Sequence, residues 1–228
     1  MTSSPGETSA PAAASGRSVL LAGGSGLVGR ELLQFLLADP SVAAVHALGR
    51  RDLPLRQAAL IQHRADFAAL PALPRVDEAY VALGTTIRVA GSRAAFRAVD
   101  HDAVVAVAKA ARAAGATRLG VVSAMGADAR SRVFYNRVKG EMEQAVGALG
   151  FGTLVIARPS LLVGDRAALG QPVRSGEEIG LKASRWLAPL IPANYRPIAA
   201  AAVARALVRA VRETAGQRVL LSGQMQER

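Results

Sequence analysis

The stretch Gly23-Gly24-Ser25-Gly26-Leu27-Val28-Gly29 constrains the fold of this chain more than any other. It follows a short apolar run, Ser18-Val19-Leu20-Leu21-Ala22. It precedes Arg30-Glu31-Leu32-Leu33-Gln34-Phe35-Leu36-Leu37, whose apolar residues recur at helical spacing. Strand, tight turn and helix in that order open a βαβ unit of the dinucleotide-binding kind. The glycines answer three needs: a turn, close approach of backbone to a pyrophosphate, and a helix seated close to the sheet. The helix start adds unpaired N–H groups and a partial positive charge that attract phosphate. Two registers satisfy the pattern, Gly23-x-x-Gly26-x-x-Gly29 and Gly24-x-Gly26-x-x-Gly29. Glycine-rich turns also serve as plain connectors, so the flanking strand and helix carry the reading.

Strands and helices continue to alternate. Residues 42–48, 59–63, 76–83, 118–123 and 153–157 read as the second to sixth strands. One long helix is predicted over 94–114, with Phe96, Val99, Val104, Val107, Ala108 and Ala111 on its apolar stripe and Gly115 at its end. Another helix begins near Tyr135, an alanine-rich helix covers 199–212, and 217–221 forms a final strand. The pattern is that of an α/β chain with a doubly wound parallel sheet. Residues 1–16, rich in Ser, Ala, Pro and Gly, read as a disordered tail, and 17–228 as a single domain. Residues 165–197 hold several prolines and glycines and the sole tryptophan, Trp186. They are expected to form substrate-side loops and one short helix, at about 179–187, as a small lobe over the open end of the sheet.

Composition narrows the partners. With 228 residues, 51% of them hydrophobic, one large α/β domain can bury a core. The absence of cysteine excludes disulfides, thiolate catalysis and cysteine-ligated metals. No metal is expected, and the expected location is the cytoplasm. The net charge of +11 is carried almost wholly by arginine, the lysines being Lys109, Lys139 and Lys182. These charges are scattered, without a long run or interleaved aromatics, so no nucleic-acid partner is expected. The first residues lack the basic start and apolar core of a secretory signal, and no stretch is apolar enough to span a bilayer.

The ends of the strands hold the candidate chemistry. An acidic residue that grips a ribose 2′-hydroxyl ordinarily stands near the end of the second strand. Arg50 and Arg51 stand there instead, with Asp52 beside them. Guanidinium groups suit a 2′-phosphate, so NADP(H) is the expected cofactor and NAD(H) the alternative. Two solvated loop arginines are the other reading. Asp66, before Phe67, either accepts from an adenine amino group or caps a short helix. Leu83-Gly84-Thr85-Thr86 places small residues at the carboxyl end of the fourth strand, where ligands bind in open α/β sheets.

Ser123, Tyr135 and Lys139 form the strongest constellation. Tyr135 and Lys139 stand four residues apart, on one face of a helix. An ammonium near a phenol favours the phenolate, which fits Tyr135 for proton exchange. Ser123, at a strand end, can hydrogen-bond a substrate carbonyl oxygen. Together they suit hydride transfer between a nicotinamide cofactor and a small carbonyl or alcohol. Glu141 and Glu143 are expected on a solvated helix face.

These segments together resemble the short-chain dehydrogenase/reductases of the atypical group. The resemblance runs through most of residues 17–221. It rests on the glycine turn, Leu83 to Thr86, Val99-Asp100-His101-Asp102, Ser123, Tyr135-x-x-x-Lys139-Gly140-Glu141 and Arg158-Pro159-Ser160-Leu161-Leu162. It implies a Rossmann-type fold and a catalytic triad of Ser123, Tyr135 and Lys139. Cofactor contacts would come from Gly23, Ser25, Gly26, Leu27 and Val28, then Arg50, Arg51, Asp66 and Phe67. Leu83, Gly84, Thr85, Tyr135, Lys139, Pro159 and Leu162 would complete them. The family's helix asparagine is missing, with Asp100 in its neighbourhood, and Ser160 replaces a usual glycine. The family also holds regulators, so a cofactor-sensing binding protein is the second reading. A homodimer through the Tyr135 helix is implied by the family alone.

Overall fold

Strand β1, Arg17–Ala22, lies inside a seven-stranded sheet. The computed structural model describes residues 16–163 and 192–226. Around β1 are β2 (Val42–Gly49), β3 (Leu60–Arg64), β4 (Glu78–Val81), β5 (Arg118–Val122), β6 (Thr153–Arg158) and β9 (Gly216–Leu221). Their order is β3-β2-β1-β4-β5-β6-β9, and every neighbouring pair is parallel. A separate two-stranded pair joins β7, Leu162–Val163, to β8, Ile198–Ala199. The first three strands run outward one way and β4 to β6 the other. The order therefore reverses between β1 and β4, which opens a crevice at the carboxyl edge there.

Alternation along β1 divides the core. Val19 and Leu21 face α1 (Leu27–Ala38) and α6 (Ala200–Glu213), joining Leu32, Leu33, Leu36, Val203, Leu207 and Val211. Leu20 and Ala22 face the other way. They pack with Val104, Val107, Ala108 and Ala111 of α4 (Val104–Ala113) and with Met142 and Val146 of α5 (Phe134–Gly147). Both faces are covered, as a parallel sheet requires. This is the expected Rossmann-type, doubly wound single domain.

The helix expected over 94–114 is three pieces: α3 (Arg93–Arg97), a π-helical segment (Ala98–Ala103) and α4. Apolar spacing cannot reveal an i→i+5 turn embedded between two α-helical ones, and such segments gather at functional sites. Gly115, at φ +102°, does end the run. Two short helices went unpredicted, α2 (Ile87–Ala90) and α7 (Ser222–Gln226). The tail over 1–15, the helix near 179–187 and Trp186 lie outside the described residues. Of the expected substrate-side loops, residues 192–197 are described and hold a 3₁₀ turn, Ala193–Tyr195.

Candidate active site

The turn after β1 settles its register. Gly23 has φ +90°, and a Cβ there would stand 2.5 Å from Ala82 O. A Cβ on Gly29 would stand 1.9 Å from Gly23 O, backbone against backbone. At Gly24 a Cβ would meet only side-chain ends, Leu53 at 3.1 Å and Leu21 at 3.6 Å. The working pattern is therefore Gly23-x-x-Gly26-x-x-Gly29. Gly26 caps α1 without a side chain, and the first turn carries no acidic residue. Ser25 is exposed at the tip, Leu27 is half-buried and Val28 is buried. This cradle of bare backbone at a helix start fits a pyrophosphate.

Flanking groups gather on the same edge. Ala22 is in register with Leu48, so Arg50 and Arg51, just past β2, follow the strand beside the turn. Both are exposed, and neither enters an ion pair among the described residues. Past β3, Asp66 forms a turn and does not cap a helix: its Oδ1 accepts from Ala68 N at 3.0 Å. Phe67 packs against the core beside it.

The other half of the site follows β4, β5 and β6. Asp100, in the π-helical segment, accepts from Thr85 N at 2.8 Å through Oδ2. Its Oδ1 lies 2.8 Å from Lys139 Nζ, with side-chain exposures of 1% and 4%. Gly84 adjoins both groups, and Leu83 packs beneath it. Tyr135 lies one turn before Lys139 and packs its ring on Phe96, centroids 5.3 Å apart. Ser123 is buried, with its N donating to Ala157 O at 2.8 Å. Its Oγ donates to Glu143 at 2.5 Å, so its contact with α5 comes one turn beyond Lys139. Pro159 is buried and accepts from Met125 N at 3.0 Å, and Leu162 sits in β7.

The expectation for Glu143 fails. Glu143 is not on a solvated face; its side chain is 8% exposed and pairs with Arg158. Glu141 is partly exposed and pairs with Arg97. The signal was present in the spacing: Glu143 falls on the stripe of Val138, Lys139, Met142 and Val146, all buried. Gly140 adds a further constraint, because a Cβ there would stand 2.1 Å from Ala129 N. The loop after Ser123 thus lies directly against α5. Among the described residues no cluster suits a metal ion, and no helix is long and apolar enough to cross a membrane.

No family model matches the chain. Protein HTATIP2 of Rattus norvegicus is 36% identical over 173 residues, covering 73% of this chain and 69% of that protein. The chain belongs to the atypical short-chain dehydrogenase/reductase family. Protein FMP52, mitochondrial, of Coccidioides immitis is 35% identical over 162 residues, covering 64% and 66%. The match thus spans about two thirds of the length of these family members. Several fungal members are mitochondrial by name, which overturns the expected cytoplasmic location. Solved structures share the fold at low identity. MoeE5 in complex with UDP-glucuronic acid and NAD matches at TM-score 0.68 and 19% identity, over 89% of this chain and 75% of that one. A Burkholderia thailandensis oxidoreductase of the short-chain dehydrogenase/reductase family matches at 0.65 and 19%, over 94% of each.

Proposed function

We propose that the chain is a nicotinamide-dependent oxidoreductase acting on a small alcohol or carbonyl. One observation carries this reading: the glycine cradle, the Lys139–Asp100 pair and Ser123 converge on the carboxyl edge around the β1–β4 crevice. The cofactor, when bound, supplies or accepts the hydride. The turn from Gly23 to Val28 would hold its pyrophosphate, and Asp66 and Phe67 would flank the adenine. Arg50 and Arg51 would grip a 2′-phosphate, which makes NADP(H) the preferred form over NAD(H). Leu83, Gly84 and Thr85 would line the path to the ribose held by Tyr135 and Lys139. Pro159 and Leu162 would border the reacting ring. Tyr135 exchanges the proton with the substrate oxygen, and Ser123 fixes that oxygen in place. A screen of alcohols and carbonyls against both cofactors tests the reading. Turnover that Tyr135→Phe lowers by about 10²–10⁴-fold is expected.

A second reading is a cofactor sensor without appreciable turnover. The buried Lys139–Asp100 ion pair favours it, because a carboxylate 2.8 Å away offsets the charge that would tune Tyr135. Nucleotide binding with no turnover across the screen would establish this reading in place of the first.

A further inference from the structure

Arg64, the last residue of β3, has no role in the site outlined above, yet the sheet brings it to the arginines that follow β2. It is in register with Gly49, and the ladder continues as Ala65 N donates to Gly49 O at 3.0 Å. Residues two apart on a strand share a face, so Arg64 leaves the sheet on the side of Leu60 and Gln62. That side is the α1 side, where Leu60 joins the core. The loop after β2 crosses the same side. A Cβ on Gly49 would stand 3.3 Å from Arg51 O, so the turn at Arg50 and Arg51 folds over Gly49, the strand neighbour of Arg64.

Gln62 fixes the rest of that loop. Its Oε1 accepts from Leu53 N at 2.6 Å, and its Nε2 donates to Leu53 O at 3.3 Å and to Leu55 O at 3.0 Å. Leu53 in turn reaches the glycine turn, its Cδ1 3.1 Å from where a Gly24 Cβ would stand. One stretch of backbone thus links the pyrophosphate cradle, Arg50 and Arg51, and the strand that carries Arg64. All three arginines are exposed, and none enters an ion pair among the described residues. Like charges gathered at one edge repel each other, and a phosphate dianion among them relieves that repulsion through charged hydrogen bonds.

We propose that Arg64 is a specificity-determining residue that completes, with Arg50 and Arg51, the site for the cofactor's 2′-phosphate. The proposal rests on the reading of the chain as a nicotinamide-cofactor protein, and not on which substrate it turns over.

Two ligand pairs differ by that phosphate alone: NADPH against NADH, and adenosine 2′,5′-bisphosphate against adenosine 5′-monophosphate. Calorimetric titration of all four compares the wild type with Arg64→Ala. The variant should bind NADPH and the bisphosphate about threefold to tenfold more weakly and keep NADH and the monophosphate within about twofold. Arg64→Lys, which keeps the charge and loses the two-pronged fork, should fall between the two proteins. Unchanged affinity of Arg64→Ala for NADPH and the bisphosphate overturns the assignment while Arg50 and Arg51 keep theirs. Equal weakening of all four ligands also overturns it, because a structural or merely attracting role does not read the 2′-phosphate. A wild-type protein that binds no member of either pair removes the cofactor reading itself, and Arg64 with it.

Discussion

Replacing Asp100 with alanine leaves the Lys139 ammonium buried without its partner. The side chains are 1% and 4% exposed, so water cannot readily substitute for the carboxylate. Removing one member of such a pair costs about 3–5 kcal/mol. The loss includes the Thr85 N–H, which gives up the acceptor it holds at 2.8 Å. For a domain of this size the melting temperature should fall by about 6–20 °C. Asp100→Asn keeps an acceptor for Thr85 and removes only the charge, so its loss should be smaller. Lys139→Met should be destabilising in turn, because it strands the carboxylate. Combining Asp100→Asn with Lys139→Met removes both charges, and the double variant should be more stable than the sum of the two losses allows. Urea unfolding of the wild type, Asp100→Asn, Lys139→Met and the double variant at pH 7 gives the coupling energy. Losses that simply add, within about 0.5 kcal/mol, would show that the two groups do not depend on one another.

Alanine at both Arg50 and Arg51 should weaken NADPH by about tenfold to a hundredfold and leave NADH nearly unchanged; equal losses in a titration would make them general phosphate-attracting charge. Tyr135→Phe should lower kcat with little change in cofactor affinity, whereas Lys139→Met should damage both; steady-state kinetics beside cofactor titration separates the two. Gly29→Ala puts a Cβ 1.9 Å from Gly23 O and should abolish nucleotide binding, while Gly24→Ala meets only the side-chain ends of Leu53 and Leu21 and should bind nearly as before. His46 is buried 2.9 Å from His63, and burial first, then the neighbouring ring, holds its imidazole below the usual 6.5. The folded form therefore binds fewer protons than the unfolded chain, so stability is full above about pH 6.5 and falls as pH drops toward the lower folded value. His46→Gln should flatten that slope in urea titrations across the range.

What could be read in advance depended on how local each cause was. The turn at Gly23 is a property of consecutive residues, and its flanks declared it. Its register was not local: it depends on Ala82 and on how close α1 comes to Gly23 O. Ser123 and Lys139 were legible because a strand end and a helix spacing each point to the carboxyl edge. Asp100 was located but its partner was not, since the π-helical segment that carries it has no signature in apolar spacing. Glu143 was misplaced because charge outweighed position. Its burial rests on Arg158, which ends β6 and reaches α5 only in the folded protein. The short elements α2 and α7 and the β7–β8 pair offer too few residues for any periodicity to show.

The cover that α6 lays over α1 has a consequence for a chain that leaves the ribosome N-terminus first. Leu32, Leu33 and Leu36 close against Val203, Leu207 and Val211, and Arg212 holds Asp39 across 173 residues of sequence. Arg17 reaches the same Asp39 and also Glu78, so the first strand is tied to that late contact. Until α6 emerges, the side of α1 that carries Leu32, Leu33 and Leu36 lacks the cover that Val203, Leu207 and Val211 give it. A contact between elements this far apart in sequence forms late, so α1 keeps an apolar side exposed while the intervening chain is made.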